Sequence, residues 1–433
     1  MKPAARTLAE WLALQEQVHA HAIDLGLGRV GTVARTLGVA RPGYRVITVG
    51  GTNGKGSTVA TLEALLLTLN LRVGTLTSPH LLRYNERIHI GGREATDAEL
   101  IDAFERIEAA RGDTTLTFFE YNTLAALLLF ADAKVDVAVL EVGLGGRLDA
   151  VNLVDADVGV VCSVGFDHRD WLGDTLDAIG TEKAGIFRPQ QPAVLGTPQM
   201  PASVYRIIET LGARPVVAER DFSWEIDPRS PGGTWTYRGL LGEIEGLPAP
   251  KLAGAIQYRN AATALAALES LARIADLEQR WPPLTRERIA AALARVAVAG
   301  RFQILPGAVE WILDVSHNEP AAQILKDNLE ARPLAGRTIA VCGILQDKDA
   351  AAIARVLGGS AQIWIACALP GPRGGTAAEL AARLAAAIPV TEQVASVAQG
   401  CARARTLAAP GDRVLVFGSF STVTAALEWL QLH

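Results

Sequence analysis

Residues Val46 to Val49 are β-favouring, run into Gly50-Gly51-Thr52-Asn53-Gly54-Lys55-Gly56-Ser57-Thr58, and are followed by helical apolar spacing from Val59 through Leu67. No other stretch constrains the chain so tightly. Strand, glycine loop and helix in that order predict an α/β sheet with an anion seat at its carboxyl edge. The glycines let backbone N–H groups converge on an anion without interference from Cβ, and the helix N-terminus adds its dipole. Lys55 then lies along the outer phosphates, and Ser57 or Thr58 offers a hydroxyl to Mg²⁺. The spacing departs from G-x-x-x-x-G-K-[ST], because position 49 is Val and Gly56 separates Lys55 from the hydroxyls. An ordinary glycine turn would leave both the lysine and the hydroxyls as coincidences, so a nucleotide phosphate is the expected occupant.

At 433 residues the chain exceeds what one core usually supports, so at least two domains are expected. It is 49% hydrophobic and 20% charged with net charge −5, which suits a globular protein and argues against a nucleic-acid partner. Cys162, Cys342, Cys367 and Cys401 form no C-x-x-C pair, which predicts neither a zinc cluster nor a disulfide framework and fits a reducing cytoplasm. Near the N-terminus, Thr7-x-x-Glu10 reads as a helix capping box rather than part of a secretory leader. The longest uncharged apolar run, Leu124 to Ala131, falls short of the ~18 residues a membrane span requires, so no membrane partner is expected.

Leu8, Trp11, Leu12 and Val18 place an apolar stripe on a first helix ending near Asp24-Leu25-Gly26-Leu27-Gly28, a segment whose spacing alone reads as a helix-ending loop. After the glycine loop and its helix, a strand from Arg72 to Thr77 ends at Ser78-Pro79-His80, where a hydroxyl meets the sheet edge. Thr115 to Glu120 opens a further helix, with Phe118 and Phe119 at its start as core or pocket wall. Val135 to Leu140 is a near-continuous apolar strand ending in Glu141, which makes that carboxylate a metal candidate. A dinucleotide G-x-G-x-x-G at Gly143 to Leu148 competes, but Leu148 stands where the third glycine belongs. His168 lies just past the apolar strand Asp157 to Ser163 and is a second candidate ligand, while Lys183 by itself reads as a solvated or ion-paired charge. The next strand is Ala193 to Gly196.

From about 200 to 250 the pattern suggests a small β-rich region, after which Gly254, Gln257 and Asn260 precede an alanine-rich helix through Leu271. The boundary falls near Arg301, giving domains over 1–297 and 298–433. In the second, strands at 309–314, 338–342, 362–366 and 413–417 alternate with helices, including one at 321–329. The fold class is thus α/β: a P-loop ATPase-type doubly wound sheet followed by a smaller Rossmann-like α/β domain. No internal repeat is visible.

Taken together, Gly51-Thr52-Asn53-Gly54-Lys55-Gly56-Ser57, Ser78-Pro79-His80, Leu140 to Asp149, Asp167-His168, Glu182 to Ile186, Asp314-x-x-His317-Asn318 and Gly418-Ser419-Phe420 resemble the Mur-ligase superfamily. Within it the likeness is to the dihydrofolate synthase/folylpolyglutamate synthase family, and it spans nearly the whole chain. The resemblance implies an ATP-dependent ligase that phosphorylates a substrate carboxylate and lets the amine of L-glutamate attack the acyl phosphate. It implies Gly54, Lys55, Gly56, Ser57, Asn260, Arg301 and Asp314 as ATP contacts, and Ser78, Glu141, His168 and Lys183 (as a carbamate) as Mg²⁺ ligands, with a second Mg²⁺ expected. Lys55, Lys183 and His168 are the implied catalytic groups. Asp24, Leu25, Gly26, Leu27, Phe119 and Arg147 resemble the dihydropteroate pocket of the bifunctional members, which favours two activities. Closure of the second domain is expected to complete the ATP site.

Three positions depart from the family pattern: Ile256, where a His is common; Ala299, where a Pro is common; and Glu319, where Pro usually follows His-Asn. The expected substrates are ATP, dihydropteroate, reduced folate and L-glutamate, and the expected state is a cytoplasmic monomer. Polyglutamylation alone is a narrower alternative. A muramyl ligase using a UDP-linked substrate is another, but only about 45 residues precede the glycine loop, too few for a uridine-binding domain. A nucleotide switch without ligase chemistry is a reading of a different class, and a dehydrogenase ranks last.

Overall fold

In the computed structural model, residues 6–21, 23–230, 233–274 and 281–432 are described. The chain packs as two compact units. The first comprises Met1–Val164, Asp170–Lys251 and Tyr258–Val296; the second comprises Gly165–Arg169, Leu252–Gln257 and Ala297–His433.

The first unit is built on an eight-stranded sheet: β1 (Arg45–Gly50), β2 (Val73–Leu76), β3 (Ile88–Ile90), β4 (Arg93–Glu94), β5 (Val137–Glu141), β6 (Val158–Val161), β7 (Pro192–Leu195) and β8 (Arg214–Val217), in the order β4-β3-β2-β5-β1-β6-β7-β8. The β2-to-β8 run is parallel, and β3 and β4 add an antiparallel edge. Buried on both faces, β5, β6 and β7 read as near-continuous apolar runs rather than alternating ones. The helix Lys55–Thr68 packs on β1, β2 and β5, and the helix Phe118–Asp132 on β2 and β3. Thr117 and Glu120 close a capping box at the start of the latter, as Thr7 and Glu10 do for Leu8–Val18.

Several local readings are corrected. The first helix stops at Val18, because His19 turns extended and its ring reaches Thr115 Oγ1 and Asp24 Oδ2 instead of continuing the spiral. A separate helix, Gly28–Leu37, follows. Ahead of the β-rich region come the helix Ala202–Leu211 and β8; the region itself is a small antiparallel sheet of β9 (Ser223–Ile226), β10 (Trp235–Gly239) and β11 (Gly242–Leu247). Gln257 and Asn260 do not precede the alanine-rich helix but lie in it, since it runs from Ile256 to Ile274.

The second unit has its own six-stranded sheet: β12 (Gln303–Leu305), β13 (Glu310–Asp314), β14 (Thr338–Cys342), β15 (Ile363–Cys367), β16 (Glu392–Val394) and β17 (Arg413–Phe417), in the order β12-β13-β17-β14-β15-β16. All neighbours are parallel except β12 and β13. Its core gathers Ile312, Leu325, Ile353, Trp364, Leu415 and Phe417. Glu319 and Pro320 open the helix Glu319–Glu330, where the Asn318 side chain accepts from Ala321 N as the cap. The intervening Glu319 is therefore accommodated as the first helical residue.

Candidate active site

The glycine loop is held by the strand beside it. Thr52 N donates to Ser163 O (2.8 Å), Asn53 N donates to Ser163 Oγ (3.1 Å), and Ser163 Oγ donates to Asn53 O (3.0 Å). Ser163, just beyond β6, braces the loop, and its place in the sequence does not reveal that role. Gly54 caps the helix in the left-handed region at φ +93°, where a Cβ would lie 2.9 Å from Asn260 Oδ1. Asn260 thus touches the loop from the helix Ile256–Ile274. Lys55 and Gly56 form the first turn, Ser57 is buried behind it, and Lys55 Nζ lies 3.0 Å from Gly51 O and 3.3 Å from Thr52 O. The result is a helix N-terminus with an ammonium folded onto its loop carbonyls, the electrostatic form of an anion seat.

Register places Glu141 at the end of β5 opposite Val49 of β1, so the carboxylate borders the loop at the sheet's carboxyl edge. It is buried, and Ser78 N donates to its Oε2 at 3.2 Å, which brings the ends of β2 and β5 together. Nearby, His80 Nδ1 accepts from Arg87 Nε at 2.7 Å; burial, with the Arg87 charge, pushes its pKa down to about 4, so the ring is neutral at physiological pH. Lys183 is buried in the last turn of the helix Leu176–Ala184. A Cβ on Gly146 would lie 2.7 Å from Glu182 O and 3.0 Å from Lys183 O, so the loop after Glu141 runs against the turn carrying Lys183. Among the described residues no group of three or more His, Cys, Asp or Glu is arranged to hold a metal. The expected donor set contains only two residues of those types, so that finding leaves it standing.

The third assembly joins segments far apart in sequence. Gly26 N donates to Leu148 O (3.2 Å), tying the Asp24–Leu27 loop to the Arg147 loop. Arg29, which sequence reasoning passed over, sits 2.7 Å from Asp24 Oδ2 and 3.3 Å from Glu120 Oε1. The Phe119 ring covers Gly143, where a Cβ would meet Phe119 Cζ at 2.9 Å. Asp149 closes the loop by accepting from Leu144 N (2.8 Å) and Val151 N (3.0 Å), and burial pushes its carboxyl up to about 6. Arg147 forms a bidentate pair with Glu182 Oε1 at 3.0 and 2.8 Å, its side chain half-exposed. The Asp24–Leu27 loop thus meets the Gly143–Asp149 loop, against which the Phe119 ring also lies.

The second unit carries the remaining residues. Asp314 ends β13; it accepts from Phe302 N (2.7 Å) and Ser316 N (2.8 Å), and burial raises its carboxyl above the usual range. Arg301 stacks 5.2 Å from the Phe420 ring. His168 adopts φ +50° beside Asp167. The Asp167 carboxylate accepts from Lys348 Nζ (2.6 Å) and Asn318 Nδ2 (2.9 Å), with His317 Nε2 at 3.5 Å. Against burial, which raises it, contact with His317 and the charges of His168, Lys348 and His317 hold that carboxyl below the carboxylate range. Lys348 is itself buried, so Lys348→Ala is expected to lower stability by about 3 kcal/mol, because a buried carboxylate loses its compensating charge. Urea unfolding checks this; an unchanged midpoint would contradict it.

The chain has known counterparts. Residues 49–198 match the Mur ligase middle domain, and residues 300–420 match the family "Mur ligase, glutamate ligase domain". The chain is 44% identical to a dihydrofolate synthase/folylpolyglutamate synthase of Escherichia coli (strain K12), over 98% of this chain and 96% of the relative. Among solved structures, E. coli FolC in complex with DHPP and ADP is similar at TM-score 0.91 and 42% identity, covering 100% of this chain and 99% of that one. A bifunctional folylpolyglutamate synthase/dihydrofolate synthase with Mn, AMPPNP and L-glutamate bound is similar at TM-score 0.88 and 41% identity, covering 100% of both. With two Mur ligase domains in order and full-length identity of this degree, the chain belongs to the dihydrofolate synthase/folylpolyglutamate synthase family of ligases.

Proposed function

We propose that this enzyme uses ATP to join L-glutamate to 7,8-dihydropteroate and, by γ-linkage, to reduced folates. The observation that carries this reading is the meeting of the Asp24–Leu27 loop and Phe119 with the Gly143–Asp149 loop that holds Arg147, in the same unit as the glycine loop. Chemistry supports the order of events. A carboxylate is a poor electrophile for an amine near neutral pH, so one of its oxygens first attacks the γ-phosphorus of ATP and ADP leaves. The glutamate amine then attacks the acyl carbon, and phosphate departs with the oxygen that bound it. Lys55 holds the charge that develops on the transferring group, and the loop N–H groups hold the phosphates beside it.

In the first unit we assign Gly54, Lys55, Gly56, Ser57 and Asn260 to ATP, and Ser78, Glu141 and Lys183 as its carbamate to Mg²⁺. The buried Glu141 carboxylate, held by the Ser78 backbone N–H, is an oxygen donor suited to that hard ion; a serine hydroxyl is another, and a carbamate would add a further anionic oxygen. When bound, Mg²⁺ supplies charge neutralisation on phosphate oxygens. In the second unit we assign His168 to metal, and Arg301 and Asp314 to nucleotide. We propose an ATP- and pterin-binding domain over 1–297 and a glutamate-ligase domain over 298–433, with the short segments Gly165–Arg169 and Leu252–Gln257 packed in the second unit. Four buried, unpaired thiols support a reducing cytoplasm, and the small number of exposed large apolar side chains supports a monomer.

The test is ADP release with dihydropteroate and tetrahydrofolate offered separately, each with and without glutamate. Release that requires acceptor and glutamate together is expected; release indifferent to both would point to a nucleotide switch. Within that assay, Asp24→Ala is expected to weaken dihydropteroate use about tenfold and tetrahydrofolate use less, because Arg29 loses the partner that fixes it beside the Asp24–Leu27 loop. Equal losses would remove that loop from the pterin pocket.

A further inference from the structure

Arg87 is 8% exposed, closes the single helical turn Tyr84–Arg87 and immediately precedes β3. Because β3 runs antiparallel to β2, with Leu76 opposite Ile88, its first residues lie at the carboxyl end of β2. Thr77 N donates to Arg87 O (2.8 Å), and the next residue, Ser78, donates from N to Glu141 Oε2. Arg87 therefore stands at the same sheet edge as the Ser78 and Glu141 assigned above to the metal.

Its charge is incompletely answered by the protein. The guanidinium donates from Nε to His80 Nδ1 at 2.7 Å, and its Cζ lies 5.6 Å from the centre of the Tyr84 ring and 5.3 Å from that of Phe118. Among the described residues no carboxylate forms an ion pair with it, and its two Nη groups donate to nothing. The adjacent acid, Glu86, instead accepts from Leu81 N, Leu82 N and Arg83 N at 2.7, 2.8 and 2.7 Å. Burial pushes the guanidinium pKa down, and Tyr84, Glu141 and Glu86 oppose that without pairing with it; an arginine stays charged all the same. Ring faces attract a cation but give its N–H groups no oxygen to bond, so a buried guanidinium with both Nη groups unbonded disfavours the folded chain unless an anion completes it. Neither Nη is sealed in the interior, so both meet open space.

Place and shape select the anion. In the order β3-β2-β5-β1, three strand spacings, about 14 Å, separate β3 from the strand that carries the glycine loop, and Lys55 already serves that end. On the other side, Phe118 precedes Phe119 on the helix that packs on β2 and β3. The guanidinium is thus on the acceptor's side of the metal residues, away from the nucleotide's. Both acceptors end in the carboxylate that is to be phosphorylated, and a guanidinium fork matches a carboxylate with two parallel N–H···O bonds.

Resting on the folate reading above, we propose that Arg87 is a further substrate-binding residue, whose Nη groups hold the reacting carboxylate of the acceptor. His80, by accepting from Nε, fixes the plane of the fork. With one carboxylate oxygen kept on the guanidinium, the other is turned to the γ-phosphorus, and the repulsion between two anions is lowered.

The test compares the wild type with Arg87→Gln and Arg87→Lys. Dihydropteroate and tetrahydrofolate are the substrates, and a dihydropteroate analogue whose carboxylate is replaced by hydrogen is the competitive inhibitor. In Arg87→Gln, KM for both acceptors is expected to rise about thirtyfold, while Ki for the analogue and KM for ATP and glutamate stay within about threefold. Arg87→Lys keeps the charge but loses the fork, so a rise of about tenfold in acceptor KM is expected, and it carries the test should glutamine not yield folded protein. Equal weakening of acceptor and analogue would make Arg87 a structural residue and overturn the proposal, as would an unchanged acceptor KM or a rise confined to ATP or glutamate. Failure of the wild type to release ADP in response to acceptor and glutamate would instead overturn the underlying assignment, and the proposal with it.

Discussion

Lys55→Ala is expected to lower kcat for ADP formation by about two to three orders of magnitude, on the order of 3 kcal/mol of transition-state stabilisation, with little change in melting temperature. The Lys55 ammonium rests on two loop carbonyls, Gly51 O and Thr52 O, which offer it only dipoles. A triphosphate offers formal charge at the same helix N-terminus, so the ammonium turns to it, and most strongly as charge shifts during transfer. Alanine keeps the first turn intact, since it is the best helix former and Gly54 still caps the helix. Steady-state ADP release and thermal melting, measured on the same preparation, check both halves. Near-normal turnover would remove Lys55 from the reaction.

Gly54→Ala is expected to weaken nucleotide binding more than about tenfold while leaving the protein folded. Two costs add. Alanine at φ +93° enters the left-handed region, a penalty of about 1 kcal/mol. Its Cβ would also stand 2.9 Å from Asn260 Oδ1 and 3.4 Å from Cys162 Cβ, so either the loop or Asn260 moves, and both are assigned to the nucleotide. Together these displacements account for a loss of at least about 1.4 kcal/mol, the equivalent of tenfold. Calorimetric titration with a non-hydrolysable ATP analogue measures it; unchanged affinity would mean that the phosphates do not use this loop.

Much of the fold was legible because parallel strands buried on both faces leave unbroken apolar runs: β5 was expected with its terminal Glu141, and β14 and β17 with their observed limits. The helix Gly28–Leu37 was not. It starts on glycine, carries another at Gly31, and its cap Leu27 makes no side-chain hydrogen bond, so local propensity argues against a helix that packing then stabilises. The alanine-rich helix was placed too late for a related reason: Gln257 and Asn260 look like loop residues until a buried helix face takes them.

The candidate site could be proposed from sequence in proportion to how local its parts are. Gly54, Lys55 and Ser57 share one loop, and strand ends locate Ser78 and Glu141. The residues proposed for the pterin have no such local signature. Asp24 and Arg147 could be linked only through resemblance, and Arg29, Ser163 and Gly143 were not given the contacts they make, because each acts on residues distant in sequence.

The most direct test of the account follows the oxygen atoms. Dihydropteroate labelled with heavy oxygen in its carboxylate, turned over with ATP and glutamate, is predicted to yield inorganic phosphate carrying one labelled oxygen, because the carboxylate oxygen that bonds to phosphorus leaves with it. Unlabelled phosphate, alongside dihydrofolate as product, would show that the acid is not activated by phosphorylation.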